Sequence, residues 1–306
     1  MHRVSEAYWE AVLAGGVRVP ADAHLPDLTA DLVRWLGDPD ARRRDSLAYT
    51  ILATWISEGV YDDLLVGLGD GICSGLSVGL GNDGDDTVLR RSFSALLLAE
   101  IIARDNVKLL LAADDVMRWG DRATSWYVRE RDLRGYVQGR GWVHAVAHGA
   151  DLIGQLARNR HLGSMELTAL LDVVADRLLA PTRHVWRHAE DDRLAYAVMV
   201  IVHRGDVDVE VLETWVRRLG AGIRQPGTRG AAPEWPTPTA VNTTTFLRAL
   251  HLQLALGVRA QGPLDEHLFA EPPLDRADVM LVLLEQLRSA SPWLYRRRSS
   301  APVLTV

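Results

Sequence analysis

Apolar residues recur every three or four positions along most of the chain, and this spacing predicts amphipathic helices. The pattern is visible at 27–37, 60–80, 105–120, 164–180, 207–222 and 275–290. Alternation with a period of two, which would predict half-buried strands, does not extend over a useful length. The pattern therefore predicts an all-α protein.

Five further helical stretches lie between these segments and resemble one another. Each begins with a polar or charged cluster and continues into small and aliphatic residues; they span 43–56, 89–102, 139–153, 190–204 and 240–254. If Asp45, Arg91, Gly141, Asp192 and Asn242 are taken as equivalent starts, the steps are 46, 50, 51 and 50 residues. A step of this size holds two helices and their connections. We therefore expect a HEAT-like α-solenoid of about five helix pairs in one curved, right-handed array with a concave face.

The same alignment sets the expected boundaries. Polar residues at the starts of the second helices are typical N-caps, which predicts that role for Asp45, Ser92, Asp192 and Asn242. The glycines at 69–71 suggest a break in the segment 60–80. Residues 1–295 are expected to form a single domain, interrupted by a Pro/Gly-rich loop at 224–241. The polar tail 296–306 has little to bury and is expected to be frayed.

Composition and charge narrow the classes of function. The chain is 48% hydrophobic and 24% charged, with a net charge of −6. This acidic balance gives no general attraction to nucleic acid, so we expect no nucleic-acid partner. Cys73 is the single cysteine, so an internal disulfide or a cysteine-pair metal site cannot form. We find neither a signal peptide nor a membrane-spanning stretch, and we expect a cytoplasmic protein.

Three phrases carry a family resemblance. "LAYTILATWI" (47–56), "RRSFSALLLAEIIARDN" (90–106) and "DLRGYVQGRGWVHAVAHGAD" (132–151) resemble a bacterial family of unknown function that looks like a HEAT-type helical protein. The resemblance covers roughly residues 40–255. It implies the fold and no particular reaction.

The stretch "GRGWVHAVAHGADLIG" (139–154) contains the main candidate chemistry. On a helix, His144, His148 and Asp151 fall on one polar face. Two imidazoles four residues apart can hold one metal ion, with the carboxylate as third ligand or as an acceptor that orients a histidine. We therefore take these three residues as candidate catalytic groups and as candidate ligands of a divalent metal. A metal-free ligand site and a purely structural polar face remain open alternatives.

Other polar groups are expected near the same groove. Those taken as candidate ligand-binding residues are Glu100, Arg104, Asp105, Asn106, Asp132, Arg134, Trp142 and His188. These residues can also have purely structural roles. Glu100 and Arg104, for example, have the spacing of an intrahelical ion pair. His188 and Glu190 can complete a carboxylate-containing divalent site.

Two classes of function follow from these residues. The first is an enzyme or a binding protein whose groove takes a small molecule or a peptide, with His144 or His148 as general acid–base groups. The second is a non-catalytic helical-repeat scaffold for a protein or peptide partner. If the polar face with His144, His148 and Asp151 is a functional site, we expect His148→Ala to leave the stability of the protein unchanged or improved.

Overall fold

The computed structural model of the chain describes residues 5–21, 23–223, 236–291 and 294–295. Within these ranges the backbone forms thirteen α-helices and a single two-stranded antiparallel hairpin. The prediction of an all-α protein is confirmed. No helix of the described ranges is long and apolar enough to cross a membrane.

The helices follow one another along the chain with short connections. They are α1 (Glu6–Ala14), α2 (Leu25–Trp35), α3 (Thr50–Ser57), α4 (Leu65–Gly75), α5 (Thr87–Lys108), α6 (Ala113–Arg129), α7 (Ala145–Arg158), α8 (Ser164–Leu179), α9 (Glu190–Arg204), α10 (Val209–Gly222), α11 (Pro238–Leu256), α12 (Pro263–Leu268) and α13 (Arg276–Ala290). A π-helical segment, Arg42–Tyr49, leads directly into α3, and a short 3₁₀ turn, Asp62–Leu64, precedes α4. The hairpin strands are β1 (Tyr136–Val137) and β2 (Gly141–Trp142).

Helices alternate between two rows. In the first row α3, α5, α7, α9 and α11 lie side by side in chain order, and in the second α4, α6, α8, α10 and α13 do the same. The rows contact each other through pairs such as α6 with α7 and α8 with α9. The helices predicted from the repeated polar-to-aliphatic stretches are those of the first row.

The expected N-caps of the first row are wrong. Ser92 is the sixth residue of α5, Asp192 the third of α9 and Asn242 the fifth of α11, while Asp45 lies within the π-helical segment. These helices begin earlier than predicted, and the side chains of Ser92 and Asn242 bond to other segments of the chain. Asn242, for example, accepts from the backbone of Trp186 and donates to the carbonyl of His184.

Two other boundaries also differ from expectation. The glycines at 69–71 do not break the helix, since α4 continues through them, and Gly69 packs against the ring of Trp119. The loop predicted at 224–241 ends earlier, because α11 begins at Pro238 with Thr237 capping the amide of Ala240. The remainder of that loop, 224–235, and the tail 296–306 lie outside the described residues.

The core runs between the two rows. Its largest fully buried apolar side chains include four tryptophans, Trp9, Trp55, Trp119 and Trp126. Trp142 is an exception to this burial, with 41% of its surface exposed. Burial of aromatic side chains dominates the stabilisation of such a core, so an exposed tryptophan on a short hairpin indicates a different role.

Candidate functional site

The hairpin that carries Trp142 is held in place by a buried arginine. Gly139 and Gly141 have φ values of +77° and +75°, a region that glycine occupies without steric penalty. Arg44, in the π-helical segment, is fully buried and donates from Nη2 to the carbonyl oxygen of Arg140 at 2.7 Å. The π-helical segment thus fixes the position of the hairpin and of the residues that follow it.

His144 and Ala189 have the same unusual backbone conformation at equivalent places. His144 (φ 45°) directly precedes α7, and Ala189 (φ 62°) directly precedes α9. The sequence placed His144 on the polar face of a helix; it lies instead ahead of the first turn. Left-handed conformations are uncommon for residues with a Cβ and cluster at functional sites. Two neighbouring helices of the first row therefore begin at strained residues.

Three side chains that could hold a metal ion meet between these two helix starts. His144, His188 and Glu190 each offer one ligand atom, and these atoms lie within 4.8 Å of one another. Oε1 of Glu190 is 3.9 Å from Nε2 of His144 and 3.7 Å from Nδ1 of His188. These separations are too long for hydrogen bonds. The backbone amide of Tyr136 lies 3.5 Å from Nδ1 of His188, so an ion shared by the three side chains would have to displace this long contact.

Trp142 and Gly135 border the gap between these three side chains, which is partly exposed at His188. Trp142 stacks on His144 with ring centroids 4.4 Å apart and meets His188 edge-on at 5.6 Å. A Cβ at Gly135 would come within 2.2 Å of Nδ1 of His188 and 2.6 Å of Oε1 of Glu190. The segment before the hairpin can therefore cover the cluster only because residue 135 is glycine.

Nε2 of His144 is buried and has no hydrogen-bond partner among the described residues. Burial of this imidazole lowers its pKa to about 4, and the positive charge of Arg193 and the nearby His188 act in the same direction. His144 is therefore neutral at pH 7, which is the form that coordinates metals. A buried polar atom without a partner is costly, so this nitrogen requires an explanation.

His148 lies behind this cluster and has different partners. Its Nδ1 is 2.8 Å from Oγ of Ser92, and that hydroxyl also bonds to the carbonyl of Val143. Because a hydroxyl donates one hydrogen, Ser92 gives it to the carbonyl and accepts from His148. Phe93 packs edge-on against the imidazole at 5.0 Å. Burial lowers the pKa of His148 well below its usual value.

Asp151 is paired with Arg193 of α9. Nε of Arg193 donates to Oδ1 of Asp151 at 3.0 Å, and Nη2 donates to Oδ2. Burial raises the pKa of Asp151, while the bonds from Arg193 oppose that rise. Nη1 of Arg193 also lies 3.4 Å from Nδ1 of His144. The predicted trio is thus brought into one region, with Arg193 between Asp151 and His144, but only His144 belongs to the cluster with His188 and Glu190.

A cavity of about 440 Å³ opens on the other side of Arg193. It is lined by Tyr49, Leu96, Ala99, Glu100, Ala103, Asp151, Gln155, Arg193, Tyr196 and Gln261. We call it the central cavity. Oε1 of Glu100 accepts from the hydroxyl of Tyr49 at 2.7 Å, and burial raises the pKa of Glu100. Two carboxylates and one guanidinium therefore face a space of small-molecule size.

Several predicted ligand-binding residues have structural partners instead. Arg104 binds Asp62 through two bonds rather than Glu100. Asp105 is fully buried and accepts from the backbone of Leu111, and Asn106 donates to the carbonyl of Gln155. Asp132 and Arg134 pair with each other, and Asp132 also accepts from the backbone of Gly84. The structure places these groups outside the lining of the central cavity.

Sequence reasoning missed Arg193 and the two tyrosines of the cavity. A signal for the tyrosines was present, since Tyr49 and Tyr196 end the repeated phrases Asp-Ser-Leu-Ala-Tyr and Asp-Arg-Leu-Ala-Tyr. Equivalent positions in a repeat point in the same direction. Both tyrosines line the same cavity.

The fold and the site define an all-α protein with two rows of helices and a histidine–carboxylate cluster at the start of two neighbouring helices. The chain belongs to the family described as "Protein of unknown function (DUF2785)", whose model matches residues 76–252. That span includes the whole histidine–carboxylate cluster and most of the central cavity. No curated protein and no solved structure matches the chain.

Proposed function

We propose that the chain binds a divalent metal ion, Zn²⁺ in the first place, through His144, His188 and Glu190. The observation that carries this proposal is the buried Nε2 of His144, which faces a carboxylate and a second imidazole without a hydrogen bond. Two histidines and one glutamate form a known ligand set of catalytic zinc, which leaves a coordination position open. Ligands at about 2.0–2.2 Å from an ion are separated by roughly 3–4 Å, close to the distances seen here.

A metal held at Nε2 of His144 would affect Arg193. Coordination there would leave the imidazole hydrogen on Nδ1 of His144, which lies 3.4 Å from Nη1 of Arg193. Two hydrogen-bearing nitrogens do not bond to each other, so this contact would be lost. Because the guanidinium group is rigid and planar and Asp151 holds its Nε and Nη2, the imidazole or the whole Arg193–Asp151 pair would have to shift.

We propose in addition that the central cavity, which Arg193 separates from His144, binds a small polar molecule. Its polar wall offers the carboxylates of Glu100 and Asp151 and the hydroxyls of Tyr49 and Tyr196. Such groups recognise hydroxyl and amine functions by hydrogen bonds. None of the three proposed metal ligands lines this cavity, and Arg193 lies between it and His144, so binding of the molecule is the function that we propose for it.

A scaffold function is the second candidate, and the side-by-side helix rows favour it. On this proposal the rows form a curved, right-handed HEAT-like solenoid, and its first row receives a protein or peptide. Small-angle scattering would test the curvature. We also propose, from the sequence, that the protein is cytoplasmic and of bacterial origin.

Metal content separates the two candidates. Protein purified without a histidine tag and analysed by mass spectrometry for metals should carry about one zinc ion per chain. The matched variant Glu190→Gln keeps the side-chain volume and removes the anionic ligand, so it should lose the metal. Wild-type protein that remains metal-free after incubation with zinc would contradict the proposed metal site.

A further inference from the structure

A second cavity lies at the edge of the fold where the second-row helices α6 and α8 end. Its volume is about 1060 Å³, more than twice the 440 Å³ of the central cavity. Three connections form its walls: residues 80–83, 128–133 and 180–184. None of the three metal-ligating residues lines it, so it is separate from the proposed metal site. We call it the edge cavity.

Arginines dominate the charge of the edge cavity. Arg129, Arg131, Arg177 and Arg183 line it, together with the carboxylates of Asp83 and Glu130. Both carboxylates already have partners. Glu130 forms a two-bond ion pair with Arg91 at 2.5 and 2.9 Å, and Asp83 pairs with Arg183.

Three arginines are left without a carboxylate partner. Arg129 and Arg131 are exposed and form no ion pair with any residue in the part of the chain that the structure describes. Arg177 is 5% exposed and donates from Nη1 to the carbonyls of Tyr127 and Glu130. Its Nε is buried without a partner among the described residues. A buried guanidinium lacking an anion is costly, and an anionic ligand would relieve that cost.

We propose that the edge cavity binds the phosphate groups of a small phosphorylated molecule. The planar fork of arginine matches two phosphate oxygens at once, and three unpaired arginines around one cavity supply several such contacts. Leu80, Leu133 and Pro181 also line the cavity and provide apolar surface for the rest of the ligand. The net charge of −6 opposes the alternative of a nucleic-acid backbone, since that would need a basic surface.

Calorimetric titration with inorganic pyrophosphate at low, fixed ionic strength tests this proposal. Wild-type protein should bind the probe saturably at one site. Arg129→Gln and Arg131→Gln should each weaken binding on the order of tenfold, because each removes a charge-assisted hydrogen bond to phosphate. Both side chains are exposed, so the variants should keep the fold.

Arg122→Gln is the matched control, since Arg122 is an exposed arginine of the same helix, α6, outside the edge cavity. It should bind pyrophosphate as the wild type does. Absence of saturable binding to the wild type would overturn the proposal, as would equal affinity in the Arg129, Arg131 and Arg122 variants. Competition by a single-stranded oligonucleotide would also overturn it, because the arginines would then serve nucleic acid.

Discussion

Nε2 of His144 lies 3.9 Å from Oε1 of Glu190, across the boundary between α7 and α9. The two residues are far apart in the chain and meet because their helices are neighbours in the first row. Each stands at the start of its helix, where backbone amides point outward and the helix dipole favours a negative charge such as that of Glu190. The proposed metal site therefore depends on the packing of two adjacent helix pairs.

Because His144 is buried at this boundary, we expect the protein to lose stability in mild acid. His144 has a pKa of about 4 in the folded chain, against about 6.5 when it is unfolded. Between these values the unfolded chain binds more protons, so stability falls as pH drops below about 6.5 and the loss ends near pH 4. The contribution from about pH 7.5 to pH 5 is on the order of 2 kcal/mol. Urea unfolding in the presence of a chelator, at a series of pH values, measures it.

His144→Asn is the control for this pH dependence, because asparagine tolerates the left-handed backbone of residue 144. The variant should lose less stability between neutral and mildly acidic pH than the wild type does. His148 and other groups still titrate in the variant, so part of the slope should remain. Identical slopes for the two proteins would show that His144 is not held neutral by burial.

His148 should be a stabilising residue. The sequence suggested that His148→Ala would leave stability unchanged, but the side chain is 5% exposed, bonds to Ser92 and packs on Phe93. Its loss removes a buried hydrogen bond and leaves a void, at a cost of about 1–3 kcal/mol. Thermal unfolding of His148→Ala beside the wild type checks this. An unchanged melting temperature would favour the sequence-based expectation.

The rows of helices could be predicted from the sequence, but the geometry of the cluster could not. The apolar period and the step near 50 residues indicated which helices would be neighbours, and this brought His188 and Glu190 into consideration beside His144. The hairpin has two-residue strands, too short to show an alternating pattern. His144 was therefore assigned to the helix face rather than to a left-handed position before it.

The sequence also could not predict hydrogen-bond partners that come from distant segments of the chain. Arg193 bonds to Asp151 of the neighbouring helix, and the helical pattern of α9 alone gives no reason to choose that partner. The sequence predicts caps at Ser92 and Asn242 because polar residues at the start of an apolar run usually serve that role. Ser92 instead bonds to His148 of α7, and Asn242 bonds to Trp186 in the connection between α8 and α9.

Gly135→Ala should damage the proposed metal site without unfolding the protein. The added methyl would come within 2.2 Å of Nδ1 of His188 and 2.6 Å of Oε1 of Glu190, so both side chains must shift. We expect zinc affinity to fall at least about tenfold, in line with disruption of groups that orient ligands. Competition with a chromophoric chelator measures the affinity.

Gly67→Ala is the matched control for this substitution. Among the described residues, a Cβ at residue 67 meets nothing within 4 Å, and alanine inside a helix such as α4 is favoured over glycine by about 0.5–1 kcal/mol. This variant should bind zinc normally. If Gly135→Ala also binds zinc normally, Gly135 is not needed to keep the ligands in place.

Arg91→Ala should be among the most destabilising substitutions. Arg91 and Glu130 are both buried and joined by two bonds, so the variant leaves an unpaired carboxylate in the core, at a cost of about 3–5 kcal/mol. Arg217→Ala breaks the exposed pair with Glu213 on α10 and should cost less than about 0.5 kcal/mol. Chemical unfolding compares the two. If the two variants lost equal free energy of unfolding, burial would not make the Arg91–Glu130 pair more important for stability than an exposed pair.

Calorimetric titration of zinc into the metal-free protein tests the central proposal most directly. The wild type should bind one ion per chain, and His188→Gln, which alters a partly exposed side chain, should weaken binding at least about tenfold while the protein stays folded. His24→Gln, an exposed histidine on the approach to α2, should bind as the wild type does. If the wild type takes up no zinc, or if His188→Gln binds it unchanged, His144, His188 and Glu190 do not form a metal site.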